Sequence, residues 1–145
     1  MGDLTGLSDE ARELILRHAY RTGTLCEQVM TRPHASEKGT ELLLDGSQMA
    51  FLVAQMLARS SASIKPVARA AKEVAETIKH HLEERREEKQ ALRPSYAAIV
   101  HFETCCAVLA GDIPDTGLWD GADDYDDALK NTFPASDPAG SATGR

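Results

Sequence analysis

Long apolar runs are missing from this 145-residue chain. Nothing in it approaches the roughly 18 consecutive apolar residues that mark a membrane-spanning helix, so no span is expected. The opening MGDLTGLSDEARE is acidic and lacks an apolar core, which speaks against a secretory signal. Gly2 starts a myristoylation pattern, but Gly6 stands where that pattern wants Ser or Thr. Cysteine is scarce and odd in number: Cys26, Cys105 and Cys106. Such usage fits reduced thiols in a cytoplasmic protein better than a disulfide frame. Basic residues fall short of acidic ones, 16 against 23, for a formal net charge of −7. That balance argues against general affinity for nucleic acid or anionic membrane. Also absent are Cys-x-x-Cys, Cys-x-x-Cys-His, His-Glu-x-x-His and Glu-x-x-His spacings, a phosphate-cradling glycine loop, a dinucleotide fingerprint and a nucleophile elbow. No internal repeat is present, and no stretch alternates as a half-buried strand does.

What remains is helical patterning. Ser8 followed by Asp9 and Glu10 supplies a capping hydroxyl and first-turn negative charge. Ala11, Leu14, Ile15, Ala19, Thr22, Leu25, Cys26, Val29 and Met30 then draw one stripe on a helix. TRPHASEKGT, residues 31–40, ends it, since Arg32 before Pro33 is disfavoured in helix. A second helix is expected to begin between Thr40 and Ser47, with Met49, Leu52, Val53, Met56 and Leu57 inward. RSSAS, residues 59–63, breaks the chain again; Ser63 is the expected cap and Pro66 fits the first turn that follows. The third helix is expected to run unbroken from Ile64 to Arg93, burying Val67, Ala71, Val74, Ile78 and Leu82. Its charged end, EERREEKQALR, should project into solvent, laced by Glu83–Arg86 and Arg85–Glu88 pairs. The fourth, opening at Arg93-Pro94-Ser95 and reading SYAAIVHFETCCAVLAG, is apolar nearly all round and should be central. Gly111 suits its C′ position.

These patterns predict an all-α fold: an antiparallel bundle of about four helices over residues 1–110. An acidic, partly disordered C-terminal arm follows over residues 111–145. The arm holds eight aspartates against Lys130 and Arg145, a net of −6, which leaves the body at −1. Leu118, Trp119, Tyr125, Leu129 and Phe133 are spaced among those acids. Such a segment can fold back on the bundle and cover a groove, the fate expected foremost for Trp119; it can dock on a basic protein partner or a second copy through its aromatics; or it can stay a solubilising end. Ala128-Leu129 and Thr132-Phe133-Pro134-Ala135-Ser136-Asp137-Pro138 resemble a short C-terminal sequence, roughly A-L-x-x-[ST]-F-P-A-S-D-P, that recurs in otherwise unlike small bacterial proteins. The resemblance implies a bacterial origin and a tag-like or docking use of residues 126–138. The acids of DGADDYDD, residues 120–127, lack the ligand order of a calcium loop.

Ile64-Lys65, Val67-Ala68-Arg69 and Ala71 resemble the first helix of the lac-repressor-type helix-turn-helix, with Thr77 and Leu82 also in place. The resemblance implies a turn and then a DNA-reading helix. The residues themselves read otherwise. The turn position holds Lys72 rather than glycine, and Lys72–Glu76 suits a continuous helix. Glu76, Glu83, Glu84, Glu87 and Glu88 would face phosphates. Nucleic acid is therefore not the expected partner, and DNA binding stays a second alternative.

Chemistry-bearing residues are few. His18, His81 and His101 lie on or beside apolar faces of three helices, and His101 and Cys105 are four apart on one face. Glu103, in an otherwise apolar helix, needs a partner. His101, Cys105, Glu103, His18 and His81 are the candidate ligands if a transition metal or haem is bound in the bundle. No cofactor is the leading expectation, and no catalytic residue stands out. The reading favoured is a cytoplasmic, non-enzymatic interaction or regulatory module that works through the end of its third helix and its acidic tail. A metal- or haem-binding bundle is the first alternative.

Overall fold

The computed structural model describes residues 6–31 and 35–119, with the Trp119 side chain outside that description. The described residues are helical and contain no strand. Five α-helices follow in order: α1 Asp9–Glu27, α2 Glu37–Ala58, α3 Ile64–Glu83, α4 Arg86–Ala91 and α5 Arg93–Leu109. Two 3-10 turns, Gln28–Thr31 and Asp115–Trp119, follow α1 and α5. None of the helices is long and apolar enough to cross a membrane among the described residues.

The helix ends show how local chemistry sets the lengths. Ser8 caps α1 by accepting from the Ala11 amide at 3.1 Å, as its sequence suggests. Helix α5 closes with Gly111 at φ +85°. There the Gly111 and Asp112 amides reach back to the Val108 and Ala107 carbonyls at 3.0 and 2.9 Å, the Schellman arrangement. Helix α2 ends the same way without a glycine. Ser60 takes the left-handed conformation, φ +53°, and the Ser60 and Ser61 amides bond to the Leu57 and Met56 carbonyls. The Arg12 guanidinium completes that end by donating to the Leu57 and Ala58 carbonyls at 2.7 and 3.1 Å. A cation is favoured where helix carbonyls point.

Helix α1 packs against α2 and α5, and α3 packs against the same two. The centre lies where all four approach Gly46. A Cβ added there would stand 2.6 Å from Ile78 Cδ1, 3.4 Å from Ile99 Cδ1 and 3.9 Å from Cys26 Sγ. Around it one continuous core gathers Ile15, Leu43, Val53, Ala71, Leu82 and Phe102. Truncating any one of its large side chains should cost about 2–5 kcal/mol, because the cavity adds to the lost transfer energy.

Several expectations need correction. The stripe of α1 stops short of Met30, which lies past the helix end at Glu27 and is 69% exposed. Helix α2 begins at Glu37, not between Thr40 and Ser47, because Ser36 caps it by accepting from the Gly39 amide at 2.9 Å. Leu52 is not inward: it is 40% exposed. Ser63 holds the cap position of α3 but makes no side-chain cap bond. Finally, the third helix does not run to Arg93. It passes unbroken through Lys72–Glu76, leaving no turn for a helix-turn-helix, and then stops at Glu83. Arg85, extended at φ −129° and ψ 83°, reverses the chain into α4. Beyond the reversal both Glu88 and Leu92 are buried. The anticipated Glu83–Arg86 and Arg85–Glu88 pairs give way to other partners. Glu83 accepts from the Tyr96 hydroxyl at 2.7 Å, and Lys89 lies 4.5 Å above the Tyr96 ring.

Candidate functional site

Three places hold the polar chemistry of the described residues. The first joins the α1–α2 link to the reversal after α3. Helix α2 needs a cap, and Ser36 provides it; the Ser36 hydroxyl then has a proton left to donate, and Glu88 Oε2 takes it at 2.9 Å. The Ser36 amide donates to the same oxygen at 2.8 Å. His81 Nε2 lies 3.2 Å from Glu88 Oε1 and 3.5 Å from the Ser36 hydroxyl. A carboxylate cannot donate, so Nε2 carries the proton. Burial by itself would raise the Glu88 pKa; the amide and hydroxyl of Ser36, and then His81, outweigh it and hold the carboxyl below its ordinary value. Gly39 is part of the arrangement, since a Cβ there would collide with the Glu88 carboxylate.

Serine, histidine and acid in one cluster invite comparison with a nucleophilic relay. The geometry is not that of a relay. A relay joins its acid to one ring nitrogen and its serine to the other. Here the acid and serine share Nε2, and the serine proton goes straight to the carboxylate. The cluster works as a clasp between chain segments.

The second place lies between α1 and α5. The His18 and His101 rings meet edge to face with centroids 4.4 Å apart. Burial, His101, Arg21 and Arg17, in that order, push the His18 pKa down to about 3, so the ring is neutral at neutral pH. Nearby, Thr22 donates to the His18 carbonyl at 2.7 Å and Ser95 to the Leu25 carbonyl at 3.0 Å.

The third is Glu103, which accepts from Lys79 Nζ at 2.8 Å across α3 and α5. That hydrogen bond, chiefly, raises the Lys79 pKa. All three thiols are free and buried. Burial pushes Cys26 and Cys105 up to about 12 and raises Cys106 as well, which disfavours the thiolate that both nucleophilic and metal chemistry need.

The five candidate ligands are thus dispersed. His18 and His101 come together; Glu103 pairs with Lys79, and His81 with Glu88. Among the described residues no three His, Cys, Asp or Glu side chains gather around a point where one metal ion could sit. Ser36 and Glu88 were missed as site residues. A serine three before a glycine, just past a proline, was the available signal for Ser36. Glu88 lay hidden in a charged run.

The outer surface adds two features. On the α1–α2 side, Tyr20 and Leu52 are exposed, and the Phe51 ring lies 6.3 Å from that of Tyr20. Phe51 rests over Gly23, where an added Cβ would stand 2.7 Å from the ring. At the far end of α5 the acidic arm has a fixed root. Lys72 pairs with Asp112 at 3.4 Å, Arg69 donates to the Ala110 carbonyl at 3.2 Å, and Leu118 is fully buried in the core. The first turn of the arm therefore packs with the bundle. Of the expected partner-binding residues, Tyr125, Leu129 and Phe133 lie outside the described residues, and for Trp119 only the backbone lies within them.

No protein-family model, curated protein or solved structure matches this chain.

Proposed function

We propose that this chain is a non-enzymatic interaction module, a helical scaffold that presents its acidic, aromatic-bearing C-terminal arm to a basic protein surface. The observation that carries the reading is the arm's root: Leu118 buried, Asp112 on Lys72, and the Ala110 carbonyl on Arg69. A binding segment held at its base loses less freedom on docking than one on a loose tether. Tyr125, Leu129 and Phe133 stand at steps of four among Asp123, Asp124, Asp126 and Asp127, which pairs apolar anchors with charge for steering. Glu88 and Leu92 turn inward, while Glu83, Glu84, Arg85, Arg86 and Glu87 stay exposed and keep the end of the third helix as a second contact surface.

The scaffold is read as an antiparallel bundle. As residue numbers rise on α1 they fall on both neighbours: Arg12 meets Leu57 and Ser47 meets Gly23, while His18 meets His101 and Ser95 meets Leu25. Helix α3 follows the same rule against α5, through Arg69 with Ala110 and Lys79 with Glu103. Three free, buried thiols support a reducing cytoplasmic setting.

The test is capture by the full chain against a Leu129→Asp, Phe133→Asp variant. Partners, or a second copy, should be retained by the wild type, released by added salt and lost from the variant. Equal retention by both would sink the reading. The His18–His101 contact favours a second reading, a metal- or haem-binding bundle. Near-stoichiometric zinc, copper or iron on untagged protein, lost in His101→Ala, would put it first.

A further inference from the structure

We infer that residues 120–138 dock in cis along the outer face of α1, with their acids on Arg17 and Arg21 and their aromatic anchors on the Tyr20–Phe51–Leu52 surface. The inference deepens the reading above by naming what the arm covers before a partner takes it.

The geometry starts at the arm's root. His18 faces His101, the Thr22 hydroxyl points to the Ala98 carbonyl at 3.5 Å, and Leu25 meets Ser95. Helices α1 and α5 therefore run in opposite senses, and the end of α5 at Leu109 lies beside the first turns of α1. The root of the arm is held at that same end of the bundle, on Lys72 and Arg69 of α3, and Leu118 enters the core. Arg17, Tyr20 and Arg21 lie further along α1 and are exposed. At ~1.5 Å per helical residue, Tyr20 is about 15 Å along the axis from the first turn of α1. The chain from Trp119 to Phe133 spans up to about 45 Å extended, which covers that rise together with the roughly 20 Å across two packed helices.

Charge and apolar surface then agree. Arg17 and Arg21 are like charges four apart on one helix face, a spacing that is mildly unfavourable until an anion arrives. Among the described residues no carboxylate pairs with either of them; Glu13, one turn earlier, is exposed and forms no bridge. By contrast, Lys72 and Lys79 on α3 are already engaged by Asp112 and Glu103, and Arg69 by the Ala110 carbonyl. Glu73 and Glu76 follow on that helix as Glu10 and Glu13 precede Arg17 on α1, so the acids by themselves do not choose between the faces. Lys65 of α3, beside Gly111 at the arm's root, also forms no bridge among the described residues, but α3 carries no exposed large apolar side chain; α1 sets its two unused cations beside exposed apolar area. Phe51 lies flat over Gly23, and Tyr20 and Leu52 stay open. The arm supplies Asp123, Asp124, Asp126 and Asp127 for the cations and Tyr125, Leu129 and Phe133 for the apolar surface.

The test uses the full chain with Ala135→Cys carrying a nitroxide spin label. The native thiols are buried, so labelling under native conditions is confined to the introduced site. In dilute solution the amide signals of Tyr20, Thr24 and Leu52 should lose most of their intensity, while those of Glu73 and Thr77 keep theirs. Adding Arg17→Glu and Arg21→Glu should restore the lost intensity. Signals that are uniform along the chain would overturn the inference. So would a loss seen only when isotope-labelled, spin-free chains are mixed with spin-labelled ones, which assigns the contact to a second copy. The measurement needs no partner. An arm that broadens the α1 signals yet captures nothing defeats the interaction reading alone, and the converse defeats the cis docking alone.

Discussion

Acid should loosen the contact between α1 and α5, and His18 sets the size of the effect. Its imidazole titrates near 6.5 in an unfolded chain and at about 3 in the fold. A histidine with a depressed folded pKa is neutral in the native state, so the unfolded chain binds the extra proton. The stability is therefore fully present above pH 6.5 and is lost as pH falls towards 3. At pH 5 the unfolded imidazole is nearly all charged and the folded one nearly all neutral, a loss of about 2 kcal/mol relative to pH 7. Below pH 3 the loss levels off at about 5 kcal/mol. Urea unfolding followed by circular dichroism at pH 7, 6 and 5 measures the first part of this curve. Glu88 hardly blurs that window: its pKa is lowered, so its contribution is present above the ordinary carboxyl pKa and begins to fade only as pH falls through that range, below about pH 5. His18→Gln removes the titrating ring, and its stability should fall by about 2 kcal/mol less than wild type between pH 7 and 5. Parallel curves for the two proteins would refute the assignment of this pH dependence to His18.

Other perturbations follow from the same contacts. Ser36→Ala removes a helix cap and should cost about 1–2 kcal/mol. Glu88→Ala strands the Ser36 amide and His81 and should cost about 1–3 kcal/mol. The double variant should lose less than the sum by at least about 0.5 kcal/mol, because the two share one bond; strict additivity in denaturant titrations would deny the clasp. Gly46→Ala should be destabilising by about 1–2 kcal/mol despite its better helix propensity. Combined with Ile78→Val, which deletes the atom 2.6 Å from the new Cβ, it should recover part of the loss; no recovery in thermal melts would disprove the close approach. Ser60→Gly should leave stability unchanged or raise it by up to about 1 kcal/mol, since a glycine relieves the positive φ. A thiol reagent should find Cys26, Cys105 and Cys106 slow in buffer and fast in guanidinium; rapid native labelling would contradict their burial.

The parts of the fold that depend on neighbours in sequence could be read directly. Ser8 with its two acids marks the start of α1, and Gly111 marks the end of α5, because each signal acts within one turn. Continuity of α3 through Lys72–Glu76 was legible for the same reason. The start of α2 and the end of α3 were not. Ser36 is a better cap than its surroundings suggest because Glu88, 52 residues away, fixes its hydroxyl. In the charged run after Leu82, nothing local separates Glu88, which turns inward, from Glu87, which does not. Glu103 stood out as needing a partner, yet that Lys79 supplies it depends on how α3 lies on α5. Likewise, the faces of His18 and His101 could be placed on their own helices, but their contact required knowing which helices are neighbours.

The clasp has a further consequence for how the molecule assembles. In the antiparallel arrangement proposed above, α1 and α2 make one hairpin, and α3 and α5 another. Ser36 lies in the link of the first, and Glu88 in the reversal of the second. The cap that starts α2 is complete only when the second hairpin has turned back and brought its carboxylate across. Neither hairpin then has its full stability alone, and the end of the molecule where both links meet ties them into one cooperative unit. Contacts separated by this much chain carry a loop-closure cost before they return any energy. The clasp is therefore expected to form late, so that Glu88→Ala should speed unfolding more than it slows refolding in stopped-flow measurements.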